Sequence, residues 1–220
     1  MSTVVQEDPE TSSVAEGRIT DLIRDAIVRG DYAPNQRLIE ADLSATFSAS
    51  RATVRMALLE LANEGLVERL PNRGSRVRAI SLDEAIEILE VRIGVEGLCA
   101  AKAAENITAD QIEEFERLRE EMVASVADGD LVEYSRLNQR LDRRTREISR
   151  HTTATEVLGR LHAQSVRHQF KLSGRPRRAK VSVLEHTAII DAIVARDPEA
   201  AQESVRVHLL SVIDALRGLD

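Results

Sequence analysis

The sequence predicts a mainly α protein in two parts, a small N-terminal domain of helices with one β-hairpin and an all-α antiparallel helical bundle. Three observations lead there. Apolar residues recur at helical spacing along most of the chain. Strand-like alternation is confined to two short runs, Leu66-Val67-Glu68-Arg69-Leu70 and Ser75-Arg76-Val77-Arg78. Aromatic residues make up only 2% with no Trp, so the core is built from Leu, Ile, Val and Ala, which suits packed helices better than a large β-sandwich.

The 220 residues allow one large or two modest domains. Hydrophobic residues at 43% and charged residues at 30% are an ordinary balance for a soluble, foldable chain. The single cysteine, Cys99, cannot close an internal disulfide, which fits a reducing compartment. No run approaches about 18 apolar residues, so no membrane span is expected. Residues 1–14 are polar and acidic, without the basic start and apolar run of a secretory signal, and read as a flexible tail on a cytoplasmic protein. The net charge of −7 excludes a generally basic nucleic-acid binder, but Arg51 to Arg78 holds six Arg against three Glu. A local basic surface on an acidic protein fits a dedicated DNA-contact element.

The first helix is expected over Ala15–Arg29, from Ile19, Leu22, Ile23, Ala26 and Ile27, with Gly30 closing it. Asp31 to Asn35 reads as a turn. A short helix Glu40–Phe47, a break Ser48-Ala49-Ser50 and a longer helix capped by Ser50 and ended by Gly65 follow. Pro71-Asn72-Arg73-Gly74 turns the chain between the two strand runs. After residue 80 the pattern is helix only, which sets domains at 15–80 and 81–220. Capping boxes are read at Ser81–Glu84, Thr108–Gln111 and Thr153–Glu156, and Asp197-Pro198 is a further helix start. Helices near 82–105, 109–126, 130–149, 154–172, 178–196 and 198–217 make an antiparallel bundle.

Two helices with a tight break, followed by a hairpin, form a winged helix-turn-helix, whose second helix enters the major groove by its N-terminal turns. Ser50, Arg51, Thr53 and Arg55 sit there. Arg51 and Arg55, four apart, share one flank, and arginine reads guanine by bidentate donation. The wing tip Asn72-Arg73-Gly74 can reach the backbone or the minor groove. The run Pro34 to Leu43, then Ser50-Arg51-Ala52-Thr53-Val54-Arg55-Met56-Ala57-Leu58, then Glu64-Gly65-Leu66-Val67, resembles the GntR family of winged-helix regulators. The family pattern Ser-Arg-x-Pro-Val-Arg-Glu-Ala-Leu is kept except for Thr53 in place of Pro and Met56 in place of Glu. Ala41 stands where some relatives carry a DNA-contacting Arg.

Residues 81–217 resemble the FCD ligand-binding domain of the FadR-like branch, on Arg92 and Glu96, on Glu185-His186 and on His208. The resemblance implies a homodimer on a palindromic double-stranded DNA operator, a small organic-acid effector, most commonly a repressor, and in many members a divalent metal such as zinc, nickel or manganese. His186, with Ile189, Ile190 and Ile193 beside it, and His208, between Val205 and Val212, lie on apolar helix faces and can meet at one metal. Asn138 and Asp142 would add oxygen ligands, although Asp142 stands where the family usually has His. Arg92, beside Ile88, Val95 and Cys99, needs an anion, either Glu96, Asp142 or an effector carboxylate. Arg167, with His162 and His168, could line the same pocket. The loop Gly174-Arg175-Pro176-Arg177-Arg178 reads as solvated. Two other readings are open, a metal-dependent hydrolase and a helical interaction module with an empty pocket.

Overall fold

The computed structural model describes residues 9–71, 73–173 and 176–218, with side chains for residues 18–71, 73–162, 164 and 177–218. The chain divides into two units, between Ile80 and Ser81.

The N-terminal unit runs α1 (Pro9–Arg29), β1 (Arg37–Leu38), α2 (Glu40–Thr46), α3 (Arg51–Asn63), β2 (Val67–Leu70) and β3 (Gly74–Val77). Its core is aliphatic. Ile23 on α1, Leu43 on α2, and Val54 and Leu61 on α3 are all 1% exposed or less. Two long-range polar contacts fix α1 on α3. Arg24 Nε and Nη2 donate to both oxygens of Glu64, at 2.9 and 2.7 Å, and Thr20 Oγ1 donates to Glu60 at 2.8 Å. Between α2 and α3 Phe47 caps the first helix, Ser48 turns with φ 52°, and the Ser50 side chain accepts from Thr53 N at 3.1 Å. Proline at position 53 would have no N–H to give that cap, so the departure from the family pattern supplies a hydrogen bond here.

The sheet is antiparallel in the order β1-β3-β2, with Arg37 opposite Arg76 and Val67 opposite Val77. Two elements differ from expectation. The helix expected from Ala15 begins at Pro9, so residues 9–14 of the expected tail are helical. Those residues are polar and give no apolar stripe, whereas Pro9 is a favourable first helical residue. The strand β1 was not expected, because two residues are too short to show alternation. It is tied in by Asn35 N to Val77 O and Val77 N to Gln36 O, both 2.9 Å.

The C-terminal unit is a helical bundle, α4 (Leu82–Asn106), α5 (Ala109–Ala127), α6 (Leu131–Ser149), α7 (Thr152–Ser173), α8 (Pro176–Val194) and α9 (Pro198–Arg217). Ser81, Asp130 and Asp197 each accept from the backbone N–H three residues on. Helix α4 is central and packs on α6, α7, α8 and α9. Its buried Ala100, Ala103 and Ala104 present little bulk, and at Gly97 an added Cβ would come within 3.0 Å of the Gln202 side chain, so α9 approaches closely. Phe115, Leu118, Met122, Leu137, Ile190 and Leu216 fill the interior and are fully buried. The capping box expected at Thr153 does not form. Arg150 turns left-handed at φ 54°, and His151 caps α7 instead, its ring Nδ1 accepting from Ala154 N at 3.2 Å. The loop expected to end at Arg178 is shorter, because Pro176 starts α8.

Phe115→Ala removes the largest fully buried side chain of this interior. Urea unfolding of the purified variant is expected to show a loss of roughly 3–5 kcal/mol.

Candidate DNA-reading surface and buried polar network

The start of α3 is open to solvent. Arg51 and Arg55 are exposed, and Thr53 is half-buried with its hydroxyl 2.8 Å from Ser50 Oγ. Arg55 is not free. Its Nε and Nη2 donate to the two carboxylate oxygens of Glu40, the first residue of α2, at 3.1 and 2.9 Å. The Arg55 hydrogen bonds lower the Glu40 carboxyl pKa below its ordinary value, and the charges of Arg51 and Arg69 act in the same direction. Three arginines from α3 and β2 thus surround one acid. A shallow groove runs from Arg55 and Leu59 on α3 to Arg69 and Gly74 on the hairpin. Gly74 has φ 81°, a conformation that favours glycine, and Arg73 beside it is exposed, its N–H bonded to Leu70 O at 3.0 Å. Asn72 lies outside the described residues.

Inside the helical unit the polar side chains form two networks. In the first, His186 Nδ1 lies 2.8 Å from the Tyr134 hydroxyl, and its ring centre is 4.4 Å from that of His208. His208 Nδ1 meets Glu185 Oε2 at 2.8 Å. Arg178 grips both Glu185 oxygens at 2.9 and 3.1 Å and also donates to Ser211 Oγ at 3.1 Å. Arg178 is therefore a buried partner on α8, not part of a solvated loop. Its guanidinium is 10% exposed. A charge with that little water needs its counter-ion at hand, and Glu185, seven residues on along the same helix, supplies it. Burial, then the neighbouring His208, lower the His186 pKa well below its ordinary value, so the ring is neutral. Burial would raise the Glu185 carboxyl, but hydrogen bonds from His208, Arg178 and Ser211 outweigh it and bring it down to about 2.

The second network joins α4, α6 and α7. Arg92 Nε donates to Glu96 Oε1 at 2.5 Å, and His162 Nε2 donates to the same oxygen at 2.9 Å. His162 Nδ1 faces Asp142 Oδ2 at 3.1 Å and Arg146 Nη1 at 3.1 Å. Burial opposes the charge on Glu96, yet Arg92 and His162 hold its carboxyl well below the usual carboxylate range. Of the two internal partners foreseen for Arg92, Glu96 is the one it takes. Arg146 carried no signal in the sequence beyond its place on the amphipathic α6.

The expected metal set is divided between these networks. His186 and His208 meet. Asn138 is half-buried one turn before Asp142 on α6. Asp142 is engaged with His162. Among the described residues the group of three whose ligand atoms lie within 4.8 Å of one another is Glu96, Asp142 and His162, which could reach a metal but does not include the two paired rings. Among the described residues no close group of three His, Cys, Asp or Glu ligand atoms joins Asp142 to His186 and His208. The side chains of Arg167 and His168 lie outside those described.

Glu185 sets a pH dependence. Its carboxyl drops from 4.5 to about 2 on folding, so its stabilisation is present above about pH 4.5 and is lost as pH falls toward 2. The amount at stake is on the order of 3 kcal/mol. Glu185→Gln is expected to be less stable at pH 7 and to lose less between pH 5 and pH 3 than the parent, as read by urea unfolding. Parallel curves would contradict the assignment.

Comparison with known proteins agrees with this architecture. The FCD domain profile matches residues 87–211, and that of the bacterial regulatory proteins, gntR family, matches residues 15–77. The HTH-type transcriptional repressor RspR of Escherichia coli is 26% identical over 202 residues, covering 92% of this chain and 89% of the relative. The HTH-type transcriptional regulator BphR of Paraburkholderia xenovorans is 30% identical over 203 residues, 89% of this chain and 82% of the relative. The fold is that of E. coli McbR/YncC, with a TM-score of 0.79 at 20% identity over 93% of this chain and 98% of that one. A GntR regulator from Rhodococcus sp. RHA1 matches with a TM-score of 0.73 at 22% identity, over 92% and 97%. The chain thus belongs to the GntR family of bacterial regulatory proteins, in the FadR-like branch that carries an FCD domain, and is a transcriptional regulator.

Proposed function

We propose that this regulator is a cytoplasmic repressor that binds a short palindromic operator as a homodimer, and that a small organic acid held in the helical unit sets its affinity for DNA. Ser50, Arg51, Thr53 and Arg55 read the major groove, and Asn72, Arg73 and Gly74 contact the backbone or the minor groove. The observation that carries the reading is the exposed start of α3, with Arg51 and Arg55 on one flank and the basic hairpin across the groove. Glu40 prearranges Arg55, whose planar fork can exchange a carboxylate for the two acceptors of a guanine. Several relatives are named repressors, RspR, GlaR and NanR among them. Among the described residues no helix is long and apolar enough to cross a membrane.

Among the described residues of the helical unit Arg92 is buried and the Arg178 side chain is 10% exposed, each on an internal carboxylate that an incoming acid could replace. Arg167 is a further candidate from the sequence. A zinc, nickel or manganese ion would have to rest on His186 and His208 with Asn138, because Asp142 is engaged by His162. The relatives are transcriptional regulators rather than enzymes.

Selection of binding sites from random double-stranded DNA by the purified chain tests the DNA reading. An enriched palindrome with half-sites about one helical turn apart is expected, and no enrichment would contradict it. On that site Arg55→Ala is expected to lower affinity about 5- to 150-fold and relax the sequence at one base pair. Arg73→Ala is expected to weaken all sequences alike and to reduce the salt slope by about 1.

A further inference from the structure

Asp142 and His162 carry an inference that the family resemblance does not. A divalent ion at the paired rings needs donors that converge and negative charge to offset its own. The two imidazoles converge, with ring centres 4.4 Å apart, and a ring that ligates a metal does so in its neutral form. With the Asn138 amide they form an uncharged set. The acids are engaged elsewhere. Glu96 is held by Arg92 and His162, Asp142 by His162 with Arg146 at 4.0 Å, and Glu185 by Arg178 and His208.

Among the described residues of the two networks the carboxylates and guanidiniums balance before any ion is added. Glu96, Asp142 and Glu185 stand against Arg92, Arg146 and Arg178. A divalent ion would bring two uncompensated positive charges into an interior where an unpaired charge costs several kcal/mol. The group of Glu96, Asp142 and His162 is no better placed, because the imidazole ring lies between the two acids, with Nε2 2.9 Å from Glu96 and Nδ1 3.1 Å from Asp142 and from Arg146.

We infer that this chain has exchanged a metal for internal cations. The Arg92 and Arg146 guanidiniums and the His162 ring take up the carboxylates, and Asp142, standing at the position of a ligand histidine, is the residue that makes the exchange. Among the described residues the buried acids are then all paired without a metal, and, on the proposed sensor reading, the effector would be held by side-chain donors. This inference does not depend on the identity of the effector.

The test is metal analysis of the full-length protein, purified without chelator and then incubated with excess Zn²⁺, Ni²⁺ or Mn²⁺ and desalted. Below about one-tenth of an ion per chain and a melting temperature unmoved by EDTA are expected. Retention of about one ion per chain, or a melting temperature that drops with EDTA, would overturn the inference. Asp142→His supplies the complementary arm. It is expected to retain close to one Zn²⁺ or Ni²⁺ per chain and to become EDTA-sensitive, and His208→Asn in that background is expected to abolish the gain. A folded Asp142→His variant that stays metal-free would overturn the role given to Asp142. Should that variant not fold, the metal content of the parent protein still decides.

Discussion

A charge buried in the helical unit has to find its counter-charge within the same unit, and much of the interior follows from that constraint. Arg92 is only 4% exposed, and the side chains of Arg178 and Glu185 are 10% and 13% exposed. An isolated buried ion would cost several kcal/mol, so each lies on an oppositely charged partner and the acids are driven below their usual range. The same pairing orders the imidazoles. Glu185 takes Nδ1 of His208, Tyr134 takes Nδ1 of His186, and Glu96 and Asp142 hold His162 from two sides. The apolar residues make the unit fold, and the ion pairs decide which of its polar atoms face one another.

The N-terminal unit places its charges the opposite way. Val54, Leu58 and Leu61 bind α3 to the core, and Arg51 and Arg55 remain in water. Exposed arginines contribute little to stability, and on the proposed reading these two contact DNA. Glu40 moderates this surface. Its carboxylate sits among Arg51, Arg55 and Arg69 and holds one of the three in a defined pose, which on the proposed reading would temper attraction to phosphate and leave a base edge to compete for the guanidinium.

Much of this was legible in the sequence, for identifiable reasons. Periodicity gives the bundle, because a helix with one apolar stripe has few other ways to bury it. The Ser50, Ser81 and Asp197 caps are visible because their chemistry is local. The strand β1 and the first six residues of α1 were not, since neither has enough apolar alternation to leave a pattern. In the helical unit, the meeting of His186 and His208 follows from their helix faces. The turn of Asp142 toward His162 does not, because α6 and α7 approach each other through contacts that no spacing records. Arg178 was misread for a related reason. A basic residue after a proline looks like a loop until the acid seven residues on is seen beside it.

The central claim is that the helical unit governs DNA reading, and the most direct measurement is the operator dissociation constant against a panel of small carboxylic acids. An acid that raises the melting temperature of the protein is predicted to change that constant by about 5- to 150-fold, as a coupling of roughly 1–3 kcal/mol requires. An acid that stabilises the protein and leaves operator affinity unchanged would contradict the claim.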